Sequence, residues 1–89
     1  MRLDADLDIT DASITVLVRT QAGTPAATDQ WQPPDLEERP TTTSAIIRAK
    51  IGPGSTWGVL APGVYALWAA VDTGAERVLV TRSPFRVKA

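Results

Sequence analysis

The sequence predicts an all-β fold, a small antiparallel β-sandwich of about seven strands with one long proline-rich loop at 28–43. Three observations lead there. Residues 62–87 read as a hairpin complete with its leading turn, connecting loop and exit strand. Seven prolines and six glycines punctuate the 89 residues at short intervals, as a turn-rich β domain requires. Between those breaks, apolar and polar residues alternate with a period of two. A chain of this length has room for one domain, 1–89, and one modest core.

The elements follow in order. Leu3, Ala5, Leu7 and Ile9 alternate with Asp4, Asp6 and Asp8, the pattern of a strand with one wet face. Residues 11–13 turn, and residues 13–19 form a second strand, with Ile14, Val16 and Val18 on one face and Thr15, Leu17 and Arg19 on the other. A loop at 21–25 follows. Within 28–43, Pro33, Pro34 and Pro40 exclude a central strand or a sustained helix; at most, residues 34–38 make one helical turn. Residues 44–51 alternate again, 52–55 turn, and 56–60, carrying Trp57, form a short strand. Pro62-Gly63 sets the turn into the strand 64–71, which carries no charge. Asp72 to Glu76 connect to a return strand at 77–82. Ser83-Pro84 then bends the chain into a last short strand, 85–87.

Composition narrows the function. There is no cysteine and no histidine. That removes disulfides, thiolate metal sites, Ser-His-Asp and Cys-His catalysis, and histidine-ligated metals. A carboxylate pair needs a cleft that small domains rarely offer, so the expectation is a protein that is not an enzyme and carries no cofactor. No run approaches the ~20 apolar residues that cross a bilayer, and the acidic start lacks a signal-peptide pattern. A soluble protein made in the cytosol is expected. The net charge of −1 argues against direct nucleic-acid binding.

Three features stand out. Asp4, Asp6, Asp8 and Asp11 form an acidic ladder; alternating strand carboxylates lie roughly 6.6 Å apart, too far for one cation unaided. The opening of an EF-hand loop is matched only at its start, since Ile9 and Thr15 stand where Gly and Glu belong. A solvated strand face, guarded against edge pairing by like charge, is the expectation. Second, Arg77, Arg82, Arg86 and Lys88 make the last strands basic, which predicts pairing with the acidic first strand, within one subunit or between copies. Third, the strand 64–71 is apolar on both faces, with Trp68 central on the side that a sandwich does not bury. Its cover is expected from Trp31, Pro33 and Pro34 folding back, or from a neighbouring subunit. Trp57 reads as a core plug rather than a sugar platform.

Three segments carry a resemblance: Asp29-Gln30-Trp31-Gln32-Pro33-Pro34-Asp35 with Thr41-Thr42-Thr43; Leu60-Ala61-Pro62-Gly63-Val64-Tyr65-Ala66-Leu67-Trp68; and Arg77-Val78-Leu79-Val80 with Phe85-Arg86-Val87. Over about two-thirds of the chain the sequence resembles small virion proteins of tailed bacteriophages that infect actinobacteria. The resemblance implies an immunoglobulin-like sandwich that decorates the head or sits near the head–tail junction. It further implies partners among the capsid, connector or tail proteins of the same virion, a homo-oligomeric arrangement on the particle, and no membrane. The expected contact residues are Trp31, Pro33, Pro34, Leu36, Arg39, Trp68, Arg77, Arg82 and Arg86. A carbohydrate- or host-surface-binding module of a tail device is the competing expectation, and a metal-dependent adhesion domain resting on the aspartate ladder is a third.

Overall fold

The computed structural model describes residues 1–20, 23, 25, 29–74 and 77–88, and of residues 77–79 the backbone alone. Ala75 and Glu76 of the last loop, the start of the proline-rich segment at Thr28, most of the loop at 21–25 and the side chain of Arg77 therefore lie outside the described residues. Six strands are present: β1 Arg2–Asp4, β2 Ser13–Thr20, β3 Leu36–Thr41, β4 Ser44–Arg48, β5 Gly63–Asp72 and β6 Arg77–Val87. They form two three-stranded sheets of orders β1-β4-β3 and β2-β5-β6, with every pairing antiparallel. The described residues hold no helix.

The two sheets share one core. Leu3, Ala45 and Ile47 from the first sheet meet Ile14, Val16, Ala69 and Val71 from the second, closed by Ile9 and Ala12 of the β1–β2 connection. Each large aliphatic side chain fully removed from water contributes about 1.5–3 kcal/mol. Register makes this selection: Val16 stands opposite Ala69 and Ile14 opposite Val71, so one face of β2 and β5 is apolar throughout. Trp57 packs against the same cluster, which fits its expected role as a core plug.

Four sequence expectations need correction. The first strand is only three residues long. Its partner β4 begins at Ser44; the Ala5 N–H still reaches the Thr43 carbonyl at 2.8 Å, and beyond that turn no strand remains to pair with. Residues 36–41, assigned to the proline-rich loop, form β3. Pro40 is tolerated because β3 is an edge strand whose register is broken between Glu38 and Thr41. Residues 56–60 are not a strand. Gly52 N–H donates to the Gly58 carbonyl at 2.7 Å, Gly58 N–H to the Ser55 carbonyl at 3.1 Å, and Gly58 has φ +67°. That segment closes on itself, with glycine accepting the left-handed conformation. Finally, β6 runs unbroken through Ser83-Pro84, again on a sheet edge, where a missing donor costs no ladder bond. The count is thus six rather than seven.

Candidate interaction surfaces

The outward face of the β2-β5-β6 sheet is set by register. Leu17, Trp68 and Arg82 lie in one row across the three strands, flanked by Thr15-Ala70-Val80 and Arg19-Ala66-Pro84. Trp68 is half-buried, and the Arg82 guanidinium lies over its ring at 5.7 Å. Such a cation–π contact contributes roughly 0.5–1 kcal/mol at an exposed site. Leu17 is 4% exposed, and Ala66 and Ala70 are fully buried beside them. The Trp68 indole N–H is withdrawn from water and has no hydrogen-bond partner. A buried donor left unpaired costs about 1–3 kcal/mol.

The segment before β3 reaches this sheet at its edge. Gln32 and Val16 exchange both backbone hydrogen bonds, at 2.7 and 2.9 Å, in an antiparallel bridge. Continuing that register places Trp31 beside Leu17 and Asp29 beside Arg19, and the Arg19–Asp29 ion pair of 2.5 Å bears the register out. Trp31 therefore joins the row on the outer face. Pro33 and Pro34 do not; with Ala12, Ile14, Thr15 and Glu37 they line a shallow groove on the flank of the domain. The expected cover of Trp68 by both prolines is thus corrected, because pairing of Gln32 seals the β2 edge and sends the chain away from the sheet face.

The other candidates divide. Leu36 opens β3 opposite Arg48 and is 43% exposed. Arg86 is exposed opposite Val64 on β6. Arg39 is occupied internally: its guanidinium donates to the Ile9 carbonyl and, at 2.7 Å, to the Ala12 carbonyl, and pairs with Glu37 at 3.2 Å. It clamps the β1–β2 connection onto β3. Nothing in the sequence near residue 39 announces carbonyl partners 30 and 27 positions earlier.

The acidic ladder dissolves as a strand feature. Asp4 ends β1 and pairs with Arg2 at 3.2 Å, whereas Asp6, Asp8 and Asp11 lie in the connection that follows. Among the described residues, no three carboxylates gather into a group that could hold a metal ion. The Asp8 carboxyl is held below its usual value by hydrogen bonds from the Thr10 hydroxyl and then the Thr10 N–H. Pairing of the acidic and basic terminal strands within one subunit is also corrected: β1 pairs with β4 and β6 with β5, in different sheets.

At one end of the domain an apolar cleft of about 210 Å³ opens between the sheets, lined chiefly by Met1, Ala49, Ile51, Leu67, Ser83 and Phe85. Phe85 stacks on Tyr65 with ring centroids 5.8 Å apart, and the Tyr65 hydroxyl donates to the Ala61 carbonyl at 2.7 Å. The chain matches no protein-family model, no curated protein and no solved structure. No described helix is long and apolar enough to cross a membrane.

Proposed function

We propose that this domain is a non-enzymatic structural protein of a bacteriophage particle, present in several copies at the capsid or head–tail connector and stabilising the assembled shell by adding contact area. We read its fold as immunoglobulin-like. Two features support that reading. The sheet orders β1-β4-β3 and β2-β5-β6 follow the B-E-D and C-F-G orders of that fold, with no counterpart to strand A. The Tyr65 hydroxyl, near the start of β5, reaches back four residues to the Ala61 carbonyl, like the tyrosine corner at the start of strand F. The inter-sheet disulfide of antibody domains has no equivalent, since the chain lacks cysteine.

The observation that carries the functional reading is the outer face of β2-β5-β6. There half-buried Trp68 lies under the Arg82 guanidinium, with exposed Val64 and Val80 on the same face. Tryptophan and arginine on a sheet face are the residue types that anchor protein interfaces. The test mixes the purified chain with particles from its source. Stoichiometric attachment that Trp68→Ala weakens by tenfold or more supports the reading. A chain that ignores particles but binds cell-wall glycans overturns it in favour of a host-surface-binding module.

A further inference from the structure

Two three-stranded sheets have four outer edges, and three of these carry something that opposes a further strand. Gln32 occupies the β2 edge at Val16. The β3 edge carries Pro40 and a break in register, and the β6 edge carries Pro84, both devices that blunt a free edge. The β1 edge has neither proline nor bulge. Its pairing with β4 fixes which way its backbone faces. Met1 and Ile47 exchange both hydrogen bonds at 2.8 Å, and the Ala5 N–H reaches the Thr43 carbonyl. In an antiparallel ladder, residues bonded to the partner strand alternate with residues whose N–H and C=O point the other way. The backbone groups of Arg2 and Asp4 therefore point out from the sheet edge, and no described residue pairs with them.

The side chains alternate in step. Leu3 is 1% exposed, with Met1 and Ala5 packed against the same core. Arg2 and Asp4 stand exposed on the outer face of the sheet, within 3.2 Å of each other. A second copy laid antiparallel along this edge meets strict limits on register. Slipping by one residue sets an outward-pointing backbone against an inward-pointing one and forms no ladder. Setting Arg2 against Arg2, or Asp4 against Asp4, opposes like charges. With Leu3 opposite Leu3, Arg2 stands opposite the second copy's Asp4, and Asp4 opposite the second copy's Arg2. Each of these two pairs can exchange both backbone hydrogen bonds, and each joins opposite charges. Met1 then lies opposite the second copy's Ala5, so the inner row stays apolar. The edge is complementary to itself in one register.

We propose that two copies of this chain pair edge to edge through β1, about a two-fold axis at Leu3. The sheets β3-β4-β1 of both copies then join into one continuous sheet. The contact is isologous, the same patch serving on each side. A single short edge makes a small interface of the weak class, and the charges fix its register and orientation more than its strength. The inference concerns β1 alone. Particle attachment through the Trp68 face lies on the other sheet, so either can fail without the other.

Sedimentation equilibrium of the purified wild-type chain up to about 1 mM, the range proper to a weak contact, provides the test. A monomer–dimer equilibrium is expected. Arg2→Glu makes every opposed pair acidic, and Asp4→Lys makes every one basic. Each variant should dimerise roughly 10- to 100-fold more weakly, since two symmetry-related pairs turn from attraction to repulsion. Both side chains are exposed, so thermal midpoints should stay near that of wild type. Mixed in equal amounts, the two variants should form a one-to-one heterodimer about as tight as the wild-type dimer. The exchange Arg2→Asp with Asp4→Arg should restore the homodimer. A wild-type chain still monomeric at about 1 mM, single variants that dimerise like wild type, or a mixture and an exchanged double variant that both stay monomeric overturns the proposal.

Discussion

Replacing Arg39 with alanine tests whether this side chain is an internal clamp or a docking residue. Its guanidinium bridges the Ile9 and Ala12 carbonyls, tying the β1–β2 connection to edge strand β3. Hydrogen bonds from a charged donor contribute about 1.5–3 kcal/mol each. The side chain is 24% exposed, so water can partly replace it at the two carbonyls, and the Glu37 pair adds at most about 1 kcal/mol. The expected loss for Arg39→Ala is therefore about 2–3 kcal/mol. For a domain of this size, whose total stability is on the order of 4–13 kcal/mol, that lowers the thermal midpoint by roughly 10–20 °C. Urea unfolding followed by tryptophan fluorescence reads the difference directly. Arg39→Lys should recover less than half, because one ammonium lacks the fork that spans two carbonyls, and Glu37→Gln should cost under about 1 kcal/mol. An Arg39→Ala protein within about 0.5 kcal/mol of wild type would refute the clamp and return Arg39 to the candidate contacts.

Two further outcomes follow from single side chains. Tyr65→Phe keeps the stack on Phe85 but removes the bond to the Ala61 carbonyl. It should lower stability by about 1 kcal/mol, read as a reduced urea midpoint at unchanged slope; an unchanged midpoint would show that the hook contributes nothing. Asp8, whose pKa is depressed chiefly by the Thr10 hydroxyl, contributes stability above its unfolded pKa and loses it as pH falls through the lower folded value. Thr10→Val should raise the Asp8 titration midpoint seen by NMR and narrow the stability gap between neutral and acid pH; an unmoved midpoint would remove the hydroxyl as the cause.

Much of the fold was legible because it is written locally. The alternation of Ile14, Val16 and Val18, the uncharged run after Pro62-Gly63 and the glycine-containing loop after Asp72 each encode a strand or turn within a few residues. The apolar outer face around Trp68 was legible too, since a two-sided apolar strand exposes its surplus by simple counting. Pairing partners were not. Residues 36–41 look like loop because of Pro40, yet an edge position asks little of the proline nitrogen. Residues 56–60 look like strand, yet their glycines close a turn first. The aspartate ladder keeps perfect period two, but a strand extends only as far as a neighbour runs beside it, and β4 starts at Ser44.

The candidate surfaces divide in the same way. Sequence alone determined an all-β domain without cysteine or histidine chemistry, whose β5 and Trp68 carry more apolar surface than one core needs. Tertiary structure alone decided that Arg39 turns inward, that Trp31 joins the outer row through Gln32 pairing at the β2 edge, and that the first and last strands lie in different sheets rather than side by side. The reason is distance along the chain. Period and turn chemistry act over a few residues, whereas a guanidinium reaching carbonyls 27 and 30 positions away depends on which strands become neighbours, and that is set by the packing of the whole domain.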